Sequence, residues 1–267
     1  MNKNRDKFDW ELIYFDAFAG SGSKELKQKD ENIAALFDIT EEDEAVYRGA
    51  AERVINIDLR GFDYYDFIES DETSKSELEH KLKPRGSEKN LDLRFHSGDA
   101  NEHLRKLAKT MKGNIKYRSL TMIDPFGMQV NWNSIEQLKG TKTDLWILIP
   151  SGVIVNRLLD RDGKLTHIEK LISFFGLSEE EIKEHFYTRK ISKGLFDIGD
   201  EVQKLPEPIE KITKIYIQQL ETIFQYVTPE PLVLRNSRNV PIYHFAFASN
   251  NATALKIANE ITGRKNK

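Results

Sequence analysis

Apolar positions in the first 150 residues fall into short runs, and these runs alternate with stretches of helical spacing. Strands are predicted at 12–18, 64–68, 91–96, 119–123 and 144–149, where leucine, β-branched and aromatic side chains cluster between turn signals. Between them, residues 73–82 and 101–111 repeat apolar positions every three or four residues and read as helices, with a shorter helix at 133–138. Asp99 or Asn101 can cap the second helix, and Asn131 or Asn133 the third. Strands that alternate with helices assemble into a mostly parallel, doubly wound α/β sheet of Rossmann-like type.

The pattern changes over 155–227, which is rich in Glu, Lys, Leu and Ile. One apolar stripe runs through Ile168, Leu171, Ile172 and Phe175, and another through Ile209, Ile212, Ile215, Ile217, Leu220 and Phe224. Their spacing predicts a helical insertion or lid, or a helix-rich surface for a partner. Strand signals return at 231–235 and 240–248 around Asn236-Ser237-Arg238-Asn239, which reads as a hairpin. Such a hairpin sets an antiparallel strand beside the parallel sheet, and a helix at 252–261 closes the chain. The expected organisation is an α/β domain from 1–154 and 228–267, interrupted by the insertion 155–227.

Composition narrows the function classes. Of the 267 residues, 39% are hydrophobic and 31% charged, and no apolar run approaches the roughly 18 residues of a membrane span. The first residues lack the apolar core of a signal peptide. The chain has no cysteine, which excludes a disulfide framework and thiolate metal sites and makes the cytoplasm the expected compartment. A net charge of −3 argues against a surface-wide nucleic-acid footprint but leaves room for a local basic groove. Candidates for that groove are Lys81, Lys83, Arg85 and Lys89 in one loop, Arg235 and Arg238 in another, and the tail 264–267; each also reads as ordinary solvated charge. The six histidines show no metal-ligand spacing.

Candidate chemistry gathers at strand ends, where open α/β sheets bind ligands. The first strand ends in Asp16-Ala17-Phe18-Ala19-Gly20-Ser21-Gly22, a carboxylate followed by a glycine bend that brings backbone close to a ligand. Asp16 can accept from the amino group of a methionine moiety; the bland alternative is an ordinary strand-to-helix turn. Glu69, with Asp71 as the alternative, ends the second strand, where a carboxylate grips a ribose diol. Asp99 and Ala100 follow the third strand, where Asp99 can either accept from an adenine amine or cap the helix. The fourth strand ends in Asp124-Pro125-Phe126-Gly127, where a carboxylate and a carbonyl can orient an amine and an aromatic ring can stack on a base. Together these positions point to a nucleoside-type cofactor, S-adenosylmethionine, on one side and a reaction edge on the other.

With Phe67-Ile68-Glu69-Ser70-Asp71 and the stretch 241–249, these motifs resemble the three-Cys-motif partner proteins, a bacterial and archaeal family with a class I methyltransferase-like fold. The resemblance covers nearly the whole chain. It implies an S-adenosylmethionine-dependent methyltransferase-like sheet and a cysteine-motif partner protein of radical-SAM type. More distantly, Asp124 and Pro125 resemble the fourth-strand motif of amino-methyltransferases acting on adenine in nucleic acid. In that motif a second proline stands at Phe126 and the stacking aromatic at Gly127, so the ring is displaced by one position.

Three functions compete. One is an S-adenosylmethionine-dependent methyltransferase, with an amino group of a nucleic-acid base as acceptor and Asp124, Pro125 and Phe126 at the reaction edge. A second is a non-catalytic partner protein that uses 155–227 as its contact surface. The third is a nucleic-acid hydrolase with divalent metal held among Asp16, Glu69, Asp99 and Asp124.

Overall fold

The computed structural model describes residues 1, 4–21, 50–57, 60–161, 163–191 and 200–263. Gly22, most of the first crossover and the basic tail lie outside the described residues. The parallel strands are β1 (Glu11–Asp16), β2 (Tyr64–Glu69), β3 (Asp92–Ser97), β4 (Tyr117–Ile123) and β5 (Thr143–Ile149). Four more strands follow in sequence: β6 (Tyr187–Ile191), β7 (Asp200–Lys204), β8 (Tyr226–Val227) and β9 (Leu232–Arg235). The last, β10 (Pro241–Ser249), runs antiparallel to β5. The order across the sheet is β3-β2-β1-β4-β5-β10-β8, with β9 paired to the first half of β10. The expected mostly parallel sheet with an antiparallel C-terminal hairpin strand is therefore present.

Winding outward from β1 to β2 and β3, the chain then returns to lay β4 on the other side of β1. Crossovers on either side of a β1/β4 pair leave a crevice beyond their carboxyl ends. That is where Asp16 and Asp124 stand.

Alternation along the strands sends side chains to two covered faces. On one face Tyr14, Tyr65 and Phe67 pack with Leu78 and Leu82 of α3 (Glu72–Glu88) and with Ala51 and Ile55 of α2 (Ala50–Ile55). On the other, Ile13, Phe15, Ile68 and Ile123 pack with Leu104, Leu107, Ala108 and Met111 of α4 (Ala100–Gly113) and Ile135 of α5 (Trp132–Glu136). Buried hydroxyls link β4 to β5: Ser119 Oγ donates to Thr143 Oγ1 at 2.9 Å, and Thr141 Oγ1 lies 2.9 Å from the same oxygen. Before β1, α1 (Arg5–Phe8) places the Arg5 guanidinium in an ion pair with Asp63 and in a 3.0 Å hydrogen bond to the Gly61 carbonyl.

The predicted helix 73–82 is longer than its spacing suggests. It continues through Pro84 and Gly86 to Glu88. Pro84 lies on the exposed face, where solvent can serve the carbonyl its missing N–H leaves free. At Gly86 a Cβ would come within 2.4 Å of the Leu93 side chain, so glycine permits close contact between helix and β3. Lys81, Lys83 and Arg85 accordingly lie on a helix, with Lys89 at its end, and not in a loop.

Between β5 and β8 the chain forms α6 (Val153–Leu158), α7 (Ile168–Phe175), α8 (Glu179–Phe186), the β6–β7 hairpin and α9 (Pro208–Glu221). Leu171, Phe175, Ile212 and Leu220 are fully buried and belong to the same hydrophobic cluster as the sheet. Both apolar stripes of the segment thus face inward. The small β6–β7 sheet, not foreseen in the sequence, is fastened by the Lys204 ammonium, which donates to the carbonyls of Asn156 and Leu159 and to Asn156 Oδ1. A C-terminal helix, α10 (Ala252–Gly263), contacts β10 and β8. No helix among the described residues is long and apolar enough to cross a membrane.

Candidate active site

At the end of β1, Asp16 is 2% exposed, and its Oδ1 accepts the Phe18 N–H at 3.2 Å. Oδ2 accepts the Tyr14 hydroxyl at 3.3 Å. Burial pushes the Asp16 carboxyl up to about 6; the two hydrogen bonds oppose this, and the charge of Glu69 adds to it. Burial and the neighbouring Asp16 charge likewise raise the Tyr14 hydroxyl well above its usual range.

Asp124 leaves β4 on the adjacent strand. Its carboxyl is raised to about 7, first by burial and then by the negative charge of Asp16. Both carboxylates line one hollow, with Phe18, Ala19 and Met122 between them and α2 and α3 on the far wall. On that wall Lys81 is paired with Glu52 at 2.9 Å. Burial is the main reason each holds its proton toward neutral pH, with the Glu69 charge adding to it at Asp16 and the Asp16 charge adding to it at Asp124.

The glycine bend is pinned from β2. Glu69 Oε2 accepts the Gly20 N–H at 3.1 Å, while Oε1 accepts the Asp71 N–H at 2.9 Å and the Ser70 hydroxyl at 3.2 Å. Gly20 takes a φ of +66°, and among the described residues no atom lies within 4 Å of where a Cβ would sit. The glycine is therefore required by its backbone angle. Ser21, the last described residue of the motif, is partly exposed. The alternative acid, Asp71, caps α3 through Ser74.

Asp99 caps α4: its Oδ1 accepts both the backbone N–H and the Nδ2 of Asn101 at 2.9 Å. Oδ2 has no partner among the described residues, and the side chain is exposed, so capping leaves the second oxygen available. Ala100 is buried as the first residue of α4. On the reaction edge Pro125 is buried and Phe126 is 43% exposed. The Phe126 carbonyl accepts the Tyr243 hydroxyl at 3.4 Å, which ties this loop to β10.

No protein-family model matches the chain, and no curated protein matches it. Among solved structures it is similar to Trm1 from Pyrococcus horikoshii, solved with S-adenosyl-L-methionine, at 10% identity and a TM-score of 0.42 over 95% of this chain and 54% of that one. It is also similar to an S-adenosylmethionine-dependent methyltransferase from Clostridium acetobutylicum, at 10% identity and a TM-score of 0.35 over 94% and 89% of the two chains. The chain thus spans about half the length (54%) of the Trm1 structure it matches.

The site is shared unequally among the four predicted acids. Asp16 and Asp124 meet in the hollow, Glu69 braces the glycine bend, and Asp99 sits at the head of α4. Among the described residues, no three His, Asp or Glu side chains converge as metal ligands, so the carboxylate cluster of the hydrolase reading is not formed. The basic groove proposed around α3 is occupied by ion pairs: Lys81 with Glu52, Lys83 with Glu79, and Arg85 with Glu88.

Three features escaped the sequence reading. The amide of Asn101 bridges to the loop after β4. Tyr243 reaches Phe126 from 117 residues away. At the end of β5, His244 Nδ1 and Ser151 Oγ share a 2.5 Å hydrogen bond, with the imidazole lowered to about 4 chiefly by burial. All three are contacts between distant strands and loops, and they leave no local periodicity to read.

Proposed function

We propose that this chain is an S-adenosylmethionine-dependent methyltransferase that acts on an amino group of a nucleic-acid base. The observation that carries the reading is the pair Asp16 and Asp124, set on adjacent strand ends at the sheet's switch point and lining one hollow. Among the described residues, two features fit the cofactor: the uncrowded left-handed bend at Gly20 and the unpartnered Oδ2 of Asp99. In this reading Asp16 and the Phe18–Ser21 bend hold the methionine end, Glu69 the ribose, and Asp99 with Ala100 the adenine.

The cofactor supplies an already activated methyl group, so the chain's own task is positioning and charge. Asp124 accepts an N–H of the acceptor amine and aims its lone pair into the hollow. Titrating near neutrality, its carboxylate can also take the proton the amine gives up. Pro125 fixes the loop, and the exposed Phe126 ring offers a stacking surface for a base. A cysteine-motif partner, implied by the family resemblance, would meet the polar outer surface of 155–227, because the apolar stripes there are buried in the core.

Calorimetric titration with S-adenosylhomocysteine tests the cofactor half: binding is expected in the native chain and lost in Asp16→Ala or Glu69→Ala. Transfer of a labelled methyl group to total RNA or DNA, lost in Asp124→Ala, tests the reaction half. Absence of both heat and thermal shift with S-adenosylmethionine and S-adenosylhomocysteine would remove the proposal.

A further inference from the structure

We propose that Asn101 is a positioning residue that couples occupancy of the adenosyl-binding edge to the order of the loop carrying Asp124; this rests on the cofactor reading above. Asn101 is 4% exposed, yet it belongs to neither strand end that brackets the hollow. Its Nδ2 donates to Asp99 Oδ1 at 2.9 Å and to the Gln129 carbonyl at 2.8 Å, so both amide protons are used. Its Oδ1 accepts the Asn131 N–H at 2.8 Å. The side chain therefore clamps the backbone on both sides of Val130, at the far end of the loop that leaves β4 at Asp124.

The linkage extends outward as well. Asn131 Oδ1 accepts the Ser173 hydroxyl at 2.7 Å, which joins the loop to α7. Two side-chain amides in series, Asn101 and Asn131, thus connect the head of α4, the loop over 124–131 and the helical segment. Only an amide serves here. A carboxylate could not donate to Asp99 and to the Gln129 carbonyl, and an alkyl side chain would leave both Gln129 and Asn131 without their partner.

The coupling follows from Asp99. Oδ1 holds Asn101 while Oδ2 is open at the exposed edge. A ligand amine bound at Oδ2 fixes the carboxylate plane. That plane sets the direction of the Asn101 amide, and the amide sets the position of 129–131. By reciprocity, a loop held in place favours the same ligand.

Hydrogen–deuterium exchange on the full chain, with and without saturating S-adenosylhomocysteine, reads this coupling. In the native chain the ligand should slow exchange of the amides over 124–131 by about tenfold. In Asn101→Ala, at ligand concentrations that still saturate the site, that slowing should fall below about threefold. If this variant does not fold, Asn101→Ser takes its place, since it can still bond Asp99 but is too short to reach Gln129. Mere destabilisation would speed exchange throughout while leaving the ligand's effect on 124–131 intact. Equal ligand-induced slowing in native and variant chains, or a native chain that binds S-adenosylhomocysteine without slowing 124–131, overturns the coupling alone. A native chain that does not bind S-adenosylhomocysteine overturns the cofactor reading and the coupling with it.

Discussion

The four acids at the carboxyl edge of the sheet form two pairs that the same local pattern produced. Asp16 and Asp124 share a hollow and are pushed toward neutrality chiefly by burial, with the charge of Asp16 adding to it at Asp124. Glu69 and Asp99 sit nearer solvent, and backbone donors hold them: Gly20 and Asp71 for one, Asn101 for the other. A carboxylate satisfied by N–H groups shapes the chain around it. One that lines an enclosure keeps its chemistry for something else. Position at a strand end is common to all four; facing the hollow separates Asp16 and Asp124 from the other two.

The sharpest way to break that comparison is to remove one member of each pair and ask what fails. Asp124→Ala should cut methyl transfer by roughly 10²-fold while moving the S-adenosylhomocysteine Kd by less than about threefold. Glu69→Ala should act on the Kd instead. Single-turnover assays beside calorimetry check both, and a rate loss in Glu69→Ala at saturating cofactor would merge the two pairs.

Acidity gives a second test. The folded-state values of about 6 and 7 for Asp16 and Asp124 lie above the ordinary 3.8, so the native chain retains protons that the unfolded chain releases. Stability should therefore fall as pH rises from about 4 through 7. Melting temperatures measured from pH 5 to pH 8 should decline, and the slope should flatten in Asp16→Asn/Asp124→Asn. Because the methionine end of the cofactor is cationic, its affinity should rise over the same interval as the pair ionises.

Smaller effects sharpen the other pair. Gly20→Ala meets no neighbouring atom among the described residues, so the left-handed backbone angle should cost about 1–2 kcal/mol in denaturant titrations. Asp99→Ala removes a helix cap and should cost about 1 kcal/mol. Asp99→Asn keeps the capping oxygen and should leave the melting temperature nearly unchanged, yet weaken S-adenosylhomocysteine by up to about tenfold where an amide N–H replaces the open Oδ2. Equal affinity in the native chain and Asp99→Asn would reduce Asp99 to a cap.

Much of the fold was legible because its strands are short apolar runs bounded by turn residues, and the observed β1 to β5 lie within two residues of the expected limits. The β6–β7 hairpin was not. Thr188, Arg189 and Lys190 on one strand and Asp200, Glu201 and Gln203 on the other dilute any alternation, and pairing across the connection is what makes them strands. The end of α3 was missed for the opposite reason: Pro84-Arg85-Gly86 is a strong local stop signal, overridden by the fit of Gly86 against Leu93. Within the site, the residue types at strand ends were readable one by one. What could not be read was which acids would share an enclosure, since that depends on α2 and α3 closing over β1 and β4.

The oxygen ladder of Ser119, Thr141 and Thr143 has a bearing on where Asp124 stands. Sliding β4 by one position along β5 would turn Ser119 Oγ away from Thr143 and strand polar groups in a dry interior. The strands are thus keyed together at Ser119, five residues before the acid. The placement of Asp124 is inherited from that lock, so a change at Ser119 could mistune the chemistry without touching any residue that meets a substrate.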